Sequence, residues 1–180
     1  YSQYGEYPPI LRTEQEAYNE EDVYIADSGF FQLFTTEVLA GNPATALTRP
    51  QSLVLSESTA KKYFGKATEA LGKSLYVTAF GKKEQYEVTA VAKDFPSNAH
   101  FHFNALLSID YAKEEYYPQR WLSHWPTTYF LLDEKANYQR VQEQMVTLTD
   151  TLLNPVYEMR FGKSYDEYKA AGDIQEYHLQ

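Results

Sequence analysis

The stretch at residues 51–66, QSLVLSESTAKKYFGK, restricts the fold more than any other part of the chain. Its apolar run Leu53–Leu55 is short, which favours a strand. Ser56 follows at once and suits the start of a helix, because its hydroxyl can accept a hydrogen bond from a free backbone N–H. Glu57 lies where the helix dipole favours an anion, and Gly65 suits the position just past the helix end. The stretch therefore predicts a strand leading directly into a short helix, whose apolar face is Ala60, Tyr63 and Phe64.

The sequence that follows, LGKSLYVTAFGKKEQYEVTAVAKDFP, predicts a β-hairpin. Apolar and polar residues alternate in both halves, as expected for strands with one buried face. The apolar positions are Leu75, Val77, Tyr86, Val88 and Ala90. The chain turns at residues 80–83, and Pro96 ends the second strand.

The rest of the chain mixes strands and helices. Strands are predicted at Val23–Ala26, in HFHFNALLSI from residue 100 and in TTYFLLDE from residue 127. A short helix is predicted after Asp27 or Ser28, with Phe30, Phe31 and Phe34 on its buried face. Elements of both kinds, with a hairpin-rich middle, predict an α+β fold.

A longer amphipathic helix is predicted from Asn137 to residue 153, where Asn154 and Pro155 end it. Its apolar stripe is Tyr138, Val141, Met145, Leu148 and Leu152. We expect this stripe to pack on the sheet of the same chain, because about two heptads are too few for an independent coiled coil. At the chain ends we expect a loop over residues 1–22, with an extended piece at Ile10 and Leu11, and a polar segment over residues 156–180 that is either partly disordered or pairs with sequence outside this chain.

Composition narrows the classes of function. The formal net charge is −9, which disfavours binding to nucleic acid or to an anionic membrane surface. The chain has no cysteine, so disulfides and thiolate chemistry are excluded. No apolar run approaches the roughly 20 residues that span a bilayer. The chain begins at Tyr1 without an initiator Met, and we expect it to be a fragment whose anchor or export signal lies outside it.

Two histidines separated by one residue, His100 and His102, raise the hypothesis of a metal site. On a strand they would share a face, but a third ligand, His124 or an acid, is not placed near them by the sequence. A strand with two outward imidazoles is the commoner arrangement.

Catalytic motifs are also missing from the sequence: it has no G-x-S-x-G, no H-E-x-x-H and no Gly-rich phosphate loop. Neighbouring acids such as Glu20–Glu21 and Glu114–Glu115 are expected to be solvated. We therefore predict no catalytic, cofactor-binding or metal-binding residue, and no cofactor.

The order and spacing of many short motifs resemble the MacB-like periplasmic core domain of FtsX-like ABC transporter permeases, in the versions of Bacteroidetes-like bacteria. The resemblance extends over residues 22–153. The strand–helix motif and its L-G-K extension are matched by Ser56, Glu57, Ala60, Lys62, Phe64, Gly65, Leu71, Gly72 and Lys73. The end of the hairpin is matched by Val88, Val91, Lys93, Asp94, Pro96, Asn98, His100 and Phe101. Ala99 departs from the usual serine of the pattern.

The resemblance implies two subdomains. A porter-like α/β-sandwich would be built from residues 1–38 and 100–180, and a small β-rich subdomain with one helix, residues 39–99, would be inserted in it. It also implies a non-catalytic domain on the periplasmic side of the inner membrane, anchored there in the full-length protein. The implied partners are a second permease copy, a cytoplasmic ATPase reached through transmembrane helices, and a periplasmic substrate or protein. In this family the segment around His100 and His102 is a structural junction.

Two other functions stay open. Seventeen tyrosines, with Trp121 and Trp125 in the aromatic segment Tyr111–Trp125, are compatible with a secreted module that binds glycan or peptide. An extracytoplasmic hydrolase using His100, His102 and a nearby acid is the third hypothesis.

Overall fold

The computed structural model describes residues 2–3, 9–79, 82–109 and 127–173. These residues fall into two compact units. The first unit contains the described residues up to 109 together with 127–130, and the second contains 131–173. No helix in the described part of the chain is long and apolar enough to cross a membrane.

The strands all belong to the first unit and form one nine-stranded sheet. They are β1 Ser2–Gln3, β2 Ile10–Arg12, β3 Ala17–Asn19, β4 Val23–Ala26, β5 Val38–Gly41, β6 Ser52–Ser56, β7 Ser74–Ala79, β8 Lys82–Ala92 and β9 Ala105–Ser108. The helices are α1 Phe30–Leu33, α2 Glu57–Phe64, α3 Tyr138–Phe161 and α4 Tyr165–Ala171, with a 3-10 turn at Ala67–Glu69.

Strand β6 lies inside the sheet, whose order is β1-β4-β9-β6-β8-β7-β2-β3, with β5 paired to β8. The pairs β4–β9 and β6–β8 are parallel and the others are antiparallel. All five residues of β6 are buried. A strand buried on both faces needs apolar residues at successive positions, which explains the run Leu53–Leu55.

Each face of the sheet carries its own core. One face packs aliphatic residues of β6, β7, β8 and β9 against helix α2, and its largest fully buried side chains are Leu11, Leu53, Leu55, Leu75 and Leu107. The other face is rich in aromatic rings: Tyr24, Phe30, Phe101 and Phe103 are buried there, with Phe31, Phe34 and Phe95 packed against them. Successive residues of β6 point into opposite cores, as the period of a strand requires.

The pairing of β6 with β8 is irregular at Thr89, where Leu53 lies opposite Val88 but Val54 lies opposite Ala90. The Thr89 hydroxyl donates to the carbonyls of Ala46 at 2.6 Å and Leu53 at 3.1 Å. On the other side of β8, Gly41 packs so closely that a Cβ atom there would lie 2.3 Å from the Thr89 carbonyl oxygen. The bulge therefore requires a glycine at residue 41.

Several sequence predictions are confirmed. The strands at Val23–Ala26 and Leu53–Leu55, the helix starting at Ser56 and the hairpin of β7 and β8 are present, and Phe30 is buried. Residues 80–81 of the hairpin turn lie outside the described residues. The α+β class is also confirmed.

Other predictions are wrong or incomplete. The segment TTYFLLDE was predicted to be a strand because its residues favour one. In the structure residues 127–133 form no strand and pair with none of the described strands. In HFHFNALLSI only Ala105–Ser108 forms a strand, while buried and exposed residues alternate from 100 to 103 as predicted. In the predicted N-terminal loop, β2 covers Ile10 and Leu11 as expected, and β3 adds a strand that the sequence did not indicate.

The second unit is a helical hairpin. Helix α3 does not end at Pro155 but continues to Phe161, where Gly162 adopts a left-handed conformation. Leu153 is buried, and Asn154 accepts from the Asp166 N–H at 3.0 Å and donates to its carboxylate at 2.8 Å. These contacts with α4 favour the helix on both sides of the proline. Residues 165–171, within the segment expected to be partly disordered or to pair with missing sequence, form α4, which begins with a capping box at Ser164 and Glu167.

The apolar stripe of α3 is only partly buried, and its packing on the sheet stays a prediction. Tyr138, Leu148 and Leu152 are exposed, while Val141 and Met145 are half-buried. The predicted inserted subdomain, residues 39–99, supplies strands β6, β7 and β8 to the same sheet as β4 and β9 from the flanking residues. Its boundaries at 38/39 and 99/100 stay a prediction.

We predict that Gly41→Ala lowers the free energy of unfolding by at least about 2 kcal/mol. A Cβ at this position would collide with the backbone of β8, and the backbone φ of +91° also disfavours a side chain. Urea unfolding measures the loss. Gly65→Ala is the matched control, because Gly65 has φ +79° but no atom within 4 Å of the added Cβ. Equal losses in the two variants would show that the close contact at Gly41 does not matter.

Candidate functional site

The start of helix α2 joins two segments that are distant in sequence. The Ser56 side chain accepts a hydrogen bond from the Thr59 N–H at 3.2 Å and donates to the Thr59 hydroxyl at 2.9 Å. From the end of strand β8, the Asp94 carboxylate accepts from the Ser58 N–H at 3.0 Å and from the Ser58 hydroxyl at 2.5 Å. Two free N–H groups at the helix start are thereby satisfied, and an anion lies at the positive end of the helix dipole.

This arrangement is a helix cap and not a nucleophile with its base. The Ser56 and Ser58 hydroxyls donate to a threonine and to a carboxylate, and no imidazole takes part. Glu57 forms an ion pair with Lys61 at 2.5 Å, one helical turn away. The prediction that Ser56 caps α2 is confirmed, whereas the role of Asp94 as a second cap was not predicted.

The two histidines of the 100–102 segment make separate contacts. His100 Nε2 lies 3.0 Å from the Tyr129 hydroxyl, and His102 donates through Nε2 to the Pro96 carbonyl at 3.1 Å. Both side chains are exposed. The described residues contain no group of three His, Asp or Glu side chains placed to hold a metal ion. His124, the third ligand considered, lies outside the described residues.

The His100 ring belongs to the edge of the aromatic core. Its centroid lies 4.8 Å from that of Phe101, 5.6 Å from Tyr129 and 6.1 Å from Phe34. Phe34 and Phe101 in turn contact buried Phe30. His100 therefore continues a packed aromatic cluster to the surface.

A buried carboxylate lies on the other face of the sheet. Glu20 is only 4% exposed and accepts from Lys62 Nζ at 2.6 Å and from the Tyr63 hydroxyl at 2.7 Å. Lys62 also lies 4.2 Å above the Tyr18 ring. The expectation that Glu20 and Glu21 are both solvated is therefore wrong for Glu20, because the chain turns between β3 and β4 and brings it under α2.

In the cluster of Glu20, Lys62 and Tyr63, the buried carboxylate changes the acidity of the Tyr63 hydroxyl. Burial and the hydrogen bond to the Glu20 carboxylate raise the pKa of the Tyr63 hydroxyl well above its usual value. This hydroxyl also lies 3.2 Å from the Leu11 carbonyl. A tyrosine held protonated between two acceptors ties helix α2 to strand β2, and it is not suited to act as a base. Only Lys62, in the strand–helix motif, offered a signal for this cluster in the sequence.

A shallow polar cleft of about 430 Å³ lies beside the turn between β2 and β3. It is lined by Arg12, Thr13, Glu14, Gln15, Glu16, Ala17, Tyr76 and Lys83. The lining contains charged groups of both signs but no histidine, serine or cysteine. The residues of the binding-module hypothesis, Tyr111–Trp125, lie outside the described residues, and so does the acid pair Glu114–Glu115 that was expected to be solvated.

The sequence matches the family described as the MacB-like periplasmic core domain over residues 6–148, which is most of the chain. No curated protein sequence matches this chain. The fold resembles a solved domain of a protein described as a permease from Porphyromonas gingivalis, with 22% identity, a TM-score of 0.61 and coverage of 83% of this chain and 67% of that chain.

A second solved structure is the periplasmic region of MacB from Actinobacillus actinomycetemcomitans. It is 14% identical, and the alignment covers 94% of this chain and 74% of that chain. The TM-score is 0.39, which is too low to support a structural inference.

We predict that Glu20→Ala lowers the free energy of unfolding by about 2–4 kcal/mol, measured by urea unfolding. The substitution leaves the Tyr63 hydroxyl without its closest acceptor and Lys62 without its anion. Because Lys62 is partly exposed and can be rehydrated, the loss is expected near the lower end. Glu21→Ala, an exposed neighbour, should change stability by no more than about 0.5 kcal/mol. Similar losses in both variants would contradict the buried ion pair.

The raised pKa of Tyr63 predicts a stability change at alkaline pH. A group whose pKa is higher in the folded state stabilises that state fully below its unfolded pKa, about 10 for tyrosine, and progressively less as the pH rises. The stability difference between wild type and Tyr63→Phe should therefore shrink between pH 9 and pH 11, by up to about 1.4 kcal/mol per pH unit above pH 10. Guanidinium unfolding across this range measures it, and a constant difference would contradict the prediction.

Proposed function

We propose that this chain, which belongs to the MacB-like periplasmic core domain family, is the extracytoplasmic domain of an ABC transporter permease. The family match over residues 6–148 is the observation that carries the proposal, since it includes nearly all of the described sheet and the first part of α3. The mixed sheet shared with a domain described as belonging to a permease supports it at the level of fold.

The proposed role is mechanical and not catalytic. Cytoplasmic ATP hydrolysis would be coupled, through transmembrane helices of the full-length protein, to export of a substrate or to action on a periplasmic partner. Such a role requires a stiff domain whose interface with its partners can adopt more than one arrangement. The sheet with a core on each face and the double cap on α2 supply stiffness. Two polar residues of the family motif, Ser56 and Asp94, form these caps.

The partners follow from the same proposal. A second permease copy would pair with this one, and an ATPase on the cytoplasmic side would supply the energy. A net charge of −9 fits a domain that meets proteins or small molecules and not nucleic acid.

The first test is the full-length coding sequence around this chain. A permease should encode one apolar span of about 20 residues before the chain and three after it. A signal peptide without further spans would overturn the proposal. In that case Trp121→Ala and Trp125→Ala, assayed against a glycan array, would test the binding-module hypothesis, and His102→Ala would test the hydrolase hypothesis.

The second test is biochemical. We expect the affinity-tagged full-length protein, solubilised in detergent, to co-purify with an ATPase or to contain one, and to hydrolyse ATP. The 180-residue chain alone should hydrolyse none. ATP hydrolysis by this chain, or purification of the full-length protein without any ATPase activity, would contradict the proposed role.

A further inference from the structure

The chain leaves the sheet-bearing unit through a segment that is almost wholly exposed. The boundary between the two units lies between Phe130 and Leu131. Phe130 is 55% exposed and Leu131 is 79% exposed. Of the six residues 127–132, only Tyr129 is half-buried, and the other five are exposed. Of the side chains in residues 127–132, Tyr129 is therefore the one that burial holds in place.

Tyr129 is held by two residues of the aromatic core. Its ring packs edge-on against Phe34, with the centroids 4.9 Å apart and the planes at 79°. Its hydroxyl lies 3.0 Å from His100 Nε2, at hydrogen-bond distance. Edge-to-face packing at this separation is favourable, and the hydrogen bond fixes the direction of the ring.

The two residues that hold Tyr129 are themselves firmly placed. The ring centroid of Phe34 lies 4.9 Å from that of Phe30 and 5.0 Å from that of Phe101, and both of these residues are buried. His100 packs on Phe101 at 4.8 Å. A continuous chain of ring contacts therefore connects the surface segment to the interior of the sheet, so that a displacement of Tyr129 disturbs packed side chains.

We propose that Tyr129 anchors the connection between the two units to the sheet, and that His100 is the positioning residue that holds Tyr129 in place. The anchor itself is a property of this chain. Its use in the permease rests on the proposed function: force arriving through the connection reaches the sheet at Tyr129, and release of Tyr129 detaches the connection from the sheet.

His102 provides a matched control. It is also an exposed histidine on the same segment, but its Nε2 bonds to the Pro96 carbonyl within its own loop and not to residues 127–132. A general effect of losing an imidazole from this loop would appear in both variants, whereas loss of the anchor would appear only at His100.

The test uses the 180-residue chain with chymotrypsin, because exposed Phe130 and Leu131 provide cleavage sites next to the anchor. We expect Tyr129→Phe and His100→Ala to raise the rate of cleavage after Phe130 and Leu131 roughly fivefold, the factor expected for loss of one hydrogen bond. The {1H}–15N NOE of residues 128–132 should fall in the same variants. His102→Ala should match wild type, and near-UV circular dichroism should show that all variants are folded.

A conservative replacement separates positioning from packing. His100→Gln keeps a polar group able to bond the Tyr129 hydroxyl, so we expect it to restore much of the wild-type resistance to cleavage. Wild-type cleavage rates and NOE values in both Tyr129→Phe and His100→Ala would overturn the anchor. Equal increases in His100→Ala and His102→Ala would overturn it as well.

A second arm uses the intact permease with its ATPase in proteoliposomes, with ATP as the probe. We expect ATP to change the rate of cleavage after Phe130 in wild type and to have little effect in Tyr129→Phe. The same ATP response in both would overturn the anchor as a coupling element. No response in wild type, with the variant effect in the isolated chain retained, would leave the anchor in place and reject the proposed function.

Discussion

Burial of strand β6 on both faces is the constraint on which the rest of the structure depends. Its five residues are buried, with β8 on one side and β9 on the other. Such a strand is stable only when both faces of the sheet are covered, so the chain must provide two separate cores. The aliphatic core under α2 and the aromatic core beside α1 meet this requirement. The direct passage from β6 into α2 then demands a cap at the junction, because the helix start has free N–H groups.

The caps and the aromatic cluster explain why the family motif takes the form it does. Ser56 and Asp94 lie at the same end of one parallel strand pair, where β6 and β8 both finish, and both bond to the first turn of α2. Each such cap contributes about 1 kcal/mol. Past Asp94 the chain turns and enters the aromatic core through Phe95, Phe101 and Phe103. A motif without catalytic groups can thus be specific, because its residues stabilise one connection between strand, helix and loop.

Local patterns in the sequence predicted the elements whose signals are local. The β6–α2 unit, the hairpin and the buried ring of Phe30 were all visible as spacing or capping residues. Contacts between distant residues were not visible. Glu20 was expected to be solvated because its neighbours in sequence are polar, yet Lys62 and Tyr63, more than 40 residues away, bury it. Pro155 was expected to end α3, but the burial of Leu153 and the hydrogen bonds of Asn154 to Asp166 in the next helix favour continuation of the helix past it. TTYFLLDE contains residues that favour a strand, but residues 127–133 pair with none of the described strands, so the local preference alone gave a wrong prediction.

The order of the sheet also limits how the domain meets other chains. Among the described strands the two ends of the sheet are β1, of two residues, and β3, of three, while the additional strand β5 has four residues and an irregular register. An edge strand recruits a neighbouring molecule through its unpaired N–H and C=O groups, and short or bulged edges offer few of them in line. Long β8, which carries the most such groups, has neighbours on both sides. The fold thus protects a β-rich, tyrosine-rich protein against edge-to-edge aggregation by placing its shortest strands outermost.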